Sequence, residues 1–149
     1  MFARALFAFL VLPGMVAIVV PVVWLRLTSH TAIVHPTGCL LLALGFVALF
    51  LCIRDFYVSG KGTLAPWSPP KRLVVVGLYR YSRNPMYLAV GAILAGWAIA
   101  FASPGLLAYA VAIVAAFHVR VVRAEEPFLS RMHGREWTEY SNRVPRWLW

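Results

Sequence analysis

The chain has 149 residues, of which 62% are hydrophobic, with a mean hydropathy of +0.77 and a formal net charge of +9. A soluble domain is nearer half apolar, so this composition excludes an ordinary soluble protein and suits a single membrane domain with a handful of spanning helices. The basic balance does not require a nucleic-acid partner, because positive flanks beside apolar spans, facing anionic lipid headgroups, account for it.

Four apolar runs predict an all-α integral membrane fold with about four transmembrane helices: residues 5–25, 38–53, 88–101 and 105–119. A spanning helix needs about 20 apolar residues, so only the first run qualifies alone. It is too long for a secretory signal and lacks a small-x-small cleavage site, which reads as a retained helix, kinked at Pro13, Gly14 and Pro21. The other three runs must borrow flanking residues or thin the bilayer. Residues 59–70 carry Gly60, Gly62, Pro66, Pro69 and Pro70 and predict an irregular loop along the membrane surface, with Trp67 as an anchor. Leu73-Val74-Val75-Val76 predicts a short extended run ended by Gly77. Pro85 suits the first position of the third span, and Asn84 before it suits an N-cap whose side chain satisfies backbone donors. Ser103-Pro104-Gly105 supplies a stop and a start, so spans three and four form a tight hairpin. Ala89, Gly91, Ala92, Ala95 and Gly96 permit close helix approach in span three, within one chain or between chains. Beyond the fourth run the sequence turns amphipathic. It predicts two short interfacial helices, 123–133 and 135–142, broken at Gly134, with Trp137, Tyr140, Trp147 and Trp149 at headgroup level.

Charge sets the expected orientation. Six basic residues lie between Arg54 and Arg83 and six between Arg120 and Arg146, leaving only Arg4 and Arg26 elsewhere. Four spans put these two groups on one side, which the positive-inside rule makes cytoplasmic, together with both termini. The expected organisation is one membrane domain: two spans in 1–53, a cytoplasmic loop and motif in 54–87, the hairpin in 88–119 and a cytoplasmic segment in 120–149.

Two polar clusters at the membrane edge draw the eye to a single site. The first is Gly77-Leu78-Tyr79-Arg80-Tyr81-Ser82-Arg83-Asn84-Pro85-Met86-Tyr87, the second runs from Arg120 to Glu126 and holds Arg120, Arg123, Glu125 and Glu126. If the fourth helix continues through Arg120, Arg123 and Glu125, residues three and four apart share a face. The carboxylates suit a cationic cofactor or ligand ammonium, although solvated ion pairs on a helix surface explain them equally. The tyrosines offer aromatic faces to a cation or serve as belt residues; Arg80 and Arg83 orient an acidic substrate or bind lipid phosphate. The capped start of span three suits a carboxylate. His30, His35, His118 and His133 are scattered, and Cys39 and Cys52 have neither zinc spacing nor a disulfide framework, so no metal is expected. There is no glycine-rich phosphate loop, serine-nucleophile elbow, metalloprotease helix motif or dinucleotide-binding turn, so any nucleotide-like cofactor is bound without a Rossmann fold.

In order, Leu73-Val74-Val75-Val76-Gly77-Leu78-Tyr79, Arg83-Asn84-Pro85-Met86-Tyr87, the hairpin, Glu125-Glu126, Gly134 and Tyr140 resemble the isoprenylcysteine carboxyl methyltransferase family and the related phospholipid N-methyltransferases. The resemblance covers roughly the C-terminal half. It implies an S-adenosylmethionine-dependent helical membrane enzyme acting on a lipid or lipid-linked acceptor. By the same analogy Leu73, Val74, Tyr79, Asn84, Pro85, Met86, Tyr87, Glu125 and Glu126 line the cofactor pocket, with Lys71 and Arg72 adjacent. Arg83, Arg120 and Arg123 are the substrate-side candidates; no catalytic residue is assigned. Two positions depart from the family pattern: Asn84 stands where a histidine is usual, and Val121 where prenylcysteine enzymes carry an arginine. Glu125 is expected to hold the cofactor's amine or ribose and not its sulfur, because strong stabilisation of the sulfonium would favour the ground state. A phospholipid amine is the alternative acceptor, and a non-catalytic adaptor binding anionic lipid or a partner is the alternative outside enzymology.

Overall fold

Glycines set the spacing of the two central helices. The computed structural model describes residues 10–28, 34–60 and 73–148, and among these every element is helix or turn, with no strand. Helix α2 (Pro36–Gly60) packs antiparallel on α3 (Pro85–Ala100), with Gly38 against Ala100, Gly45 against Ile93 and Ala89, and Gly96 against Leu42. A Cβ on Gly45 would lie 2.7 Å from the Ile93 side chain and 3.1 Å from the Ala89 carbonyl; one on Gly96 would lie 2.8 Å from the Leu42 nitrogen. The small residues of the third apolar run at Ala89 and Gly96 therefore serve contacts within the chain. Overpacking a filled interface typically costs about 1–3 kcal/mol, and here backbone is the neighbour, which cannot turn aside. Gly96→Leu is accordingly expected to lower the unfolding temperature in detergent by several degrees, read by circular dichroism; an unchanged temperature would mean the two helices are free to separate.

Ahead of α2, residues Leu10–Val19 wind as a π-helix and continue into α1 (Val20–Leu27), with Pro21 in the first turn of α1. The irregularity expected from Pro13 and Gly14 thus takes the form of π-winding. Pro21 has no N–H to offer the carbonyls of Val16 and Ala17, five and four residues before it, so these need other donors, and lipid offers none. Trp97 Nε1 donates to Ala17 O at 2.9 Å and Tyr109 Oη to Val16 O at 3.2 Å. These bonds tie the segment to α3 and to α4 (Pro104–Arg120), around a core of Ala17, Leu49, Ala89, Val90, Ile93, Leu94 and Ala110.

The hairpin forms where the sequence places it. Ala102 takes a left-handed conformation (φ 47°), and Ser103 Oγ accepts from Leu106 N at 3.4 Å to cap α4. α4 then runs on through a π-helical turn, Val121–Glu125, into α5 (Glu126–His133), so the helix expected to begin at 123 is instead the continuation of span four. Gly134, at φ 49°, breaks it before α6 (Arg135–Arg143), as the sequence predicts.

Among the described residues, two helices are long and apolar enough to cross a membrane, Pro36–Ser59 with 24 residues and Pro104–His133 with 30. Only 22% and 17% of their apolar windows are buried, the reverse of helices in a soluble core. α3 has 16 residues, about 24 Å at 1.5 Å each, against a hydrocarbon core of about 30 Å. The C-terminal end of α2, the start of α3, the π-turn and α6 meet at one end of the bundle. There Trp137 and Tyr140 are buried with Val144, and Leu73 and Leu129 pack against them. This corrects the expectation that Trp137 and Tyr140 sit among headgroups: they close a core. Trp67 and Trp149 lie outside the described residues.

Candidate functional site

The start of α3 and the π-turn after α4 supply the first half of the site. Tyr87, one turn into α3, donates its hydroxyl to Glu125 Oε1, and Arg120 Nε donates to the same oxygen at 2.7 Å. The Tyr87 ring rests on Phe117, with centroids 4.4 Å apart. Arg120 and Glu125 are five residues apart, a spacing that an ordinary α-helix does not bring together. A π-turn, bonded i to i+5, does so. The three-and-four spacing used on the sequence therefore pointed at Arg123, which is exposed and joins neither carboxylate.

Glu126 anchors the second half. Arg146 meets it with a two-pronged contact, Nε to Oε1 at 2.9 Å and Nη2 to Oε2 at 2.8 Å, and Arg83 Nη1 approaches Oε1 at 3.1 Å. The Glu126 and Arg83 side chains are 15% and 14% exposed and Arg146 35%, so water does little to screen the inner pair. Arg83 also lies over the Trp137 ring, 5.6 Å from its centroid, a cation–π arrangement. Its Nε is buried with no hydrogen-bond partner among the described residues.

Asn84 occupies the N-cap position of α3, but its side chain does not cap the helix. Nδ2 donates instead to Arg146 O at 3.0 Å; the same carbonyl accepts from Ser82 Oγ at 3.2 Å, and Ser82 Oγ accepts from Asn84 N at 3.1 Å. The expected cap is lost because this carbonyl, brought in by residues 144–148, offers the amide a better-placed acceptor. The first N–H groups of α3 are left without a side-chain acceptor. Pro85 is buried in the first turn, and Met86 packs against both the main core and the cluster of Cys52, Val74 and Tyr79.

Before α3 the chain makes a 3₁₀ turn, Gly77–Arg80, entered from extended backbone at Val76. Gly77 has φ 56°, and a Cβ there would overlap the buried Asp55 carboxylate, so two constraints demand glycine. Asp55 is held by Arg54 Nη2 at 2.8 Å. Tyr79 is buried and Tyr81 exposed; the Tyr79 carbonyl accepts from Tyr140 Oη at 2.7 Å. Leu73 packs on the Trp137–Tyr140 cluster. Lys71 and Arg72 lie outside the described residues.

Burial pushes the Tyr140 phenol up to about 12, with nearby Arg83 pulling the other way, and burial likewise raises Tyr79 well above the ordinary tyrosine range. An unfolded tyrosine ionises near pH 10. The stability tied to these neutral phenols is therefore fully present below that pH and falls as the pH rises above it, the Tyr140 share being lost as the pH passes through about 12. Tyr140→Phe should lose about 1 kcal/mol at neutral pH with the bond to Tyr79. It should also show a shallower fall in unfolding temperature between pH 9 and 11 than the parent. Parallel curves would show the Tyr140 hydroxyl to be solvated.

Residues 33–136 match the family model for phospholipid methyltransferase. The chain belongs to the phospholipid methyltransferase family. No curated protein and no solved structure gives a significant match. Members of the family are S-adenosylmethionine-dependent, so the protein is a membrane methyltransferase that uses this methyl donor. The match spans α2, α3, α4 and both carboxylates and stops before Trp137, Tyr140 and Arg146.

The residues present fit the methyl donor. Its carboxylate suits buried donors, and the chain offers the unpartnered Arg83 Nε and the uncapped N–H groups at the start of α3. Its ammonium and ribose hydroxyls suit a carboxylate, and that of Glu125 is held in place from two sides. When bound, S-adenosylmethionine supplies a methyl group already activated on a sulfonium. What the chain must add is alignment and exclusion of water. Sequence reasoning gave Ser82 no role beyond its place in the first cluster, and missed Asp55, Phe117 and Arg146. Arg146 carried no signal beyond its charge, whereas the Val144-Pro145 pair after a helix does mark a chain turn.

Proposed function

We propose that the protein transfers a methyl group to the amine of a phospholipid headgroup at the membrane surface, with Glu125 and Arg83 as the principal contacts to the methyl donor. The observation that carries this reading is the meeting of Tyr87 with Glu125, and of Arg83 with Glu126, at the end of the bundle where α3 begins. Among the described residues the arginines drawn into the site are already matched: Arg120 by Glu125, Arg83 and Arg146 by Glu126. Val121, where a prenylcysteine enzyme has its arginine, is fully buried. An acceptor bearing a cation fits such a site better than one bearing a carboxylate. Methylation of a prenylcysteine-type carboxyl is the second reading, supported by Arg120, whose side chain is about half exposed and has further N–H groups to offer.

Lipid mass spectrometry after expression in a host without endogenous phospholipid methylation separates the two. N-methylated headgroups that survive mild alkali support the first reading; base-labile methyl esters alone would replace it with the second. Calorimetric titration with S-adenosylhomocysteine tests the site itself. The whole chain acts as one membrane domain in this reading. The clustering of basic residues between Arg54 and Arg83 and after Arg120 supports a cytoplasmic site with both termini on that side. Reporter fusions at each terminus that report the opposite side would overturn that orientation.

A further inference from the structure

Residues 144–148 lie beyond the family match, and yet their polar contacts reach into both halves of the site. Pro145 O accepts from Arg83 N at 2.9 Å, and Arg146 O accepts from Ser82 Oγ and Asn84 Nδ2. The Arg146 side chain grips Glu126, and Trp147 Nε1 donates to His118 Nδ1 on α4 at 3.3 Å, the two rings stacking 6.1 Å apart. At its upstream end the segment is fixed by Val144, packed against Trp137 and Tyr140.

We infer that residues 144–148 form a strap that completes the methyl-donor site, with Arg146 as its positioning residue; this rests on the site reading above. Arg83 alone holds Glu126 at one oxygen, which leaves the carboxylate free to rotate. The planar two-pronged contact from Arg146 occupies both oxygens and fixes the plane. The Arg146 carbonyl meanwhile draws Ser82 and Asn84 to one point, which sets the entry into α3 and diverts Asn84 from capping it. One residue thus locks the two stretches to each other through its backbone on one side and its side chain on the other. Arg146 does not itself touch the donor; it determines where Arg83 and the open α3 terminus stand.

The test uses the full chain in detergent, with Arg146→Gln, Arg146→Lys, Glu126→Gln and the double variant Glu126→Gln/Arg146→Gln. S-adenosylhomocysteine affinity is read by calorimetry, amide exchange of residues 82–88 by mass spectrometry without ligand, and helical content by circular dichroism. Arg146→Gln is expected to weaken binding tenfold or more and to speed exchange at 82–88 while helical content stays as in the parent. Arg146→Lys should recover part of the affinity, because an ammonium keeps the charge and loses the fork. In the Glu126→Gln background the further loss on Arg146→Gln should shrink to less than threefold, which a merely structural role would not produce. An affinity within twofold of the parent for Arg146→Gln, or the same loss with and without Glu126, overturns the strap. Should the parent chain itself not take up the ligand, the site reading fails instead. The strap is then judged on exchange alone, and unchanged exchange in Arg146→Gln overturns it.

Discussion

Glu126→Ala is expected to lower stability by about 3 kcal/mol, near the bottom of the range for removing one partner from a buried ion pair. The carboxylate faces two guanidinium groups, and its removal leaves Arg83 with no counter-charge inside a largely dry environment. Arg83 cannot easily swing out, because it is pinned over Trp137 and its own backbone N–H is bonded to Pro145. Arg146, more exposed, can turn toward water, which is why the lower end of the range applies. Two cations left side by side then repel, and the Arg146 segment should loosen with them. Denaturant or thermal unfolding in mixed micelles reads the loss, and Glu126→Gln, which keeps the shape and an acceptor, should be milder. An alanine variant that unfolds within a degree of the parent would show these arginines to be solvated after all.

The sequence and the structure agree most closely where the signal is local. The stop and start at Ser103-Pro104-Gly105 falls where it was expected, Gly134 breaks the chain, Gly77 takes a conformation that favours glycine, and the third apolar run begins at Pro85. Each depends on backbone chemistry within a few residues. Tyr87 and Glu125 were legible as candidates by residue type and order, although their meeting was not, because nothing along the chain measures the angle between α3 and α4. The Arg120–Glu125 pair was hidden for a different reason. It needs one extra residue per turn, and a π-turn has no compositional signature comparable to proline or glycine. Trp137 and Tyr140 misled because an amphipathic aromatic segment beside a bilayer reads the same whether its apolar face meets lipid or, as here, Leu73, Leu129 and Val144. Arg146 was beyond reach altogether: its partners lie 20 residues away at Glu126 and more than 60 away at Ser82 and Asn84.

Glu125→Gln should separate binding from folding at the neighbouring position. Glu125 is matched by Arg120, whose side chain is about half exposed and free to turn into water once the charge is gone. Exposed pairs of this kind contribute about 0–1 kcal/mol, so the ligand-free unfolding temperature should barely move, unlike that of Glu126→Ala. The bond to Tyr87 is retained in kind, because the amide oxygen still accepts from the phenol. What the variant loses is a negative charge for the donor's ammonium or ribose. A hydrogen bond to a charged group is worth about 1.5–3 kcal/mol, so S-adenosylhomocysteine affinity should fall roughly ten- to a hundredfold. The ligand-induced rise in unfolding temperature, which scales with occupancy, should largely vanish at a concentration that saturates the parent. Tyr87→Phe should lose less, since it frees the carboxylate without discharging it. Equal affinities for parent and Glu125→Gln would leave Glu125 a surface ion pair at the end of α4, and the methyl donor would then have to be held by Arg83 and the start of α3.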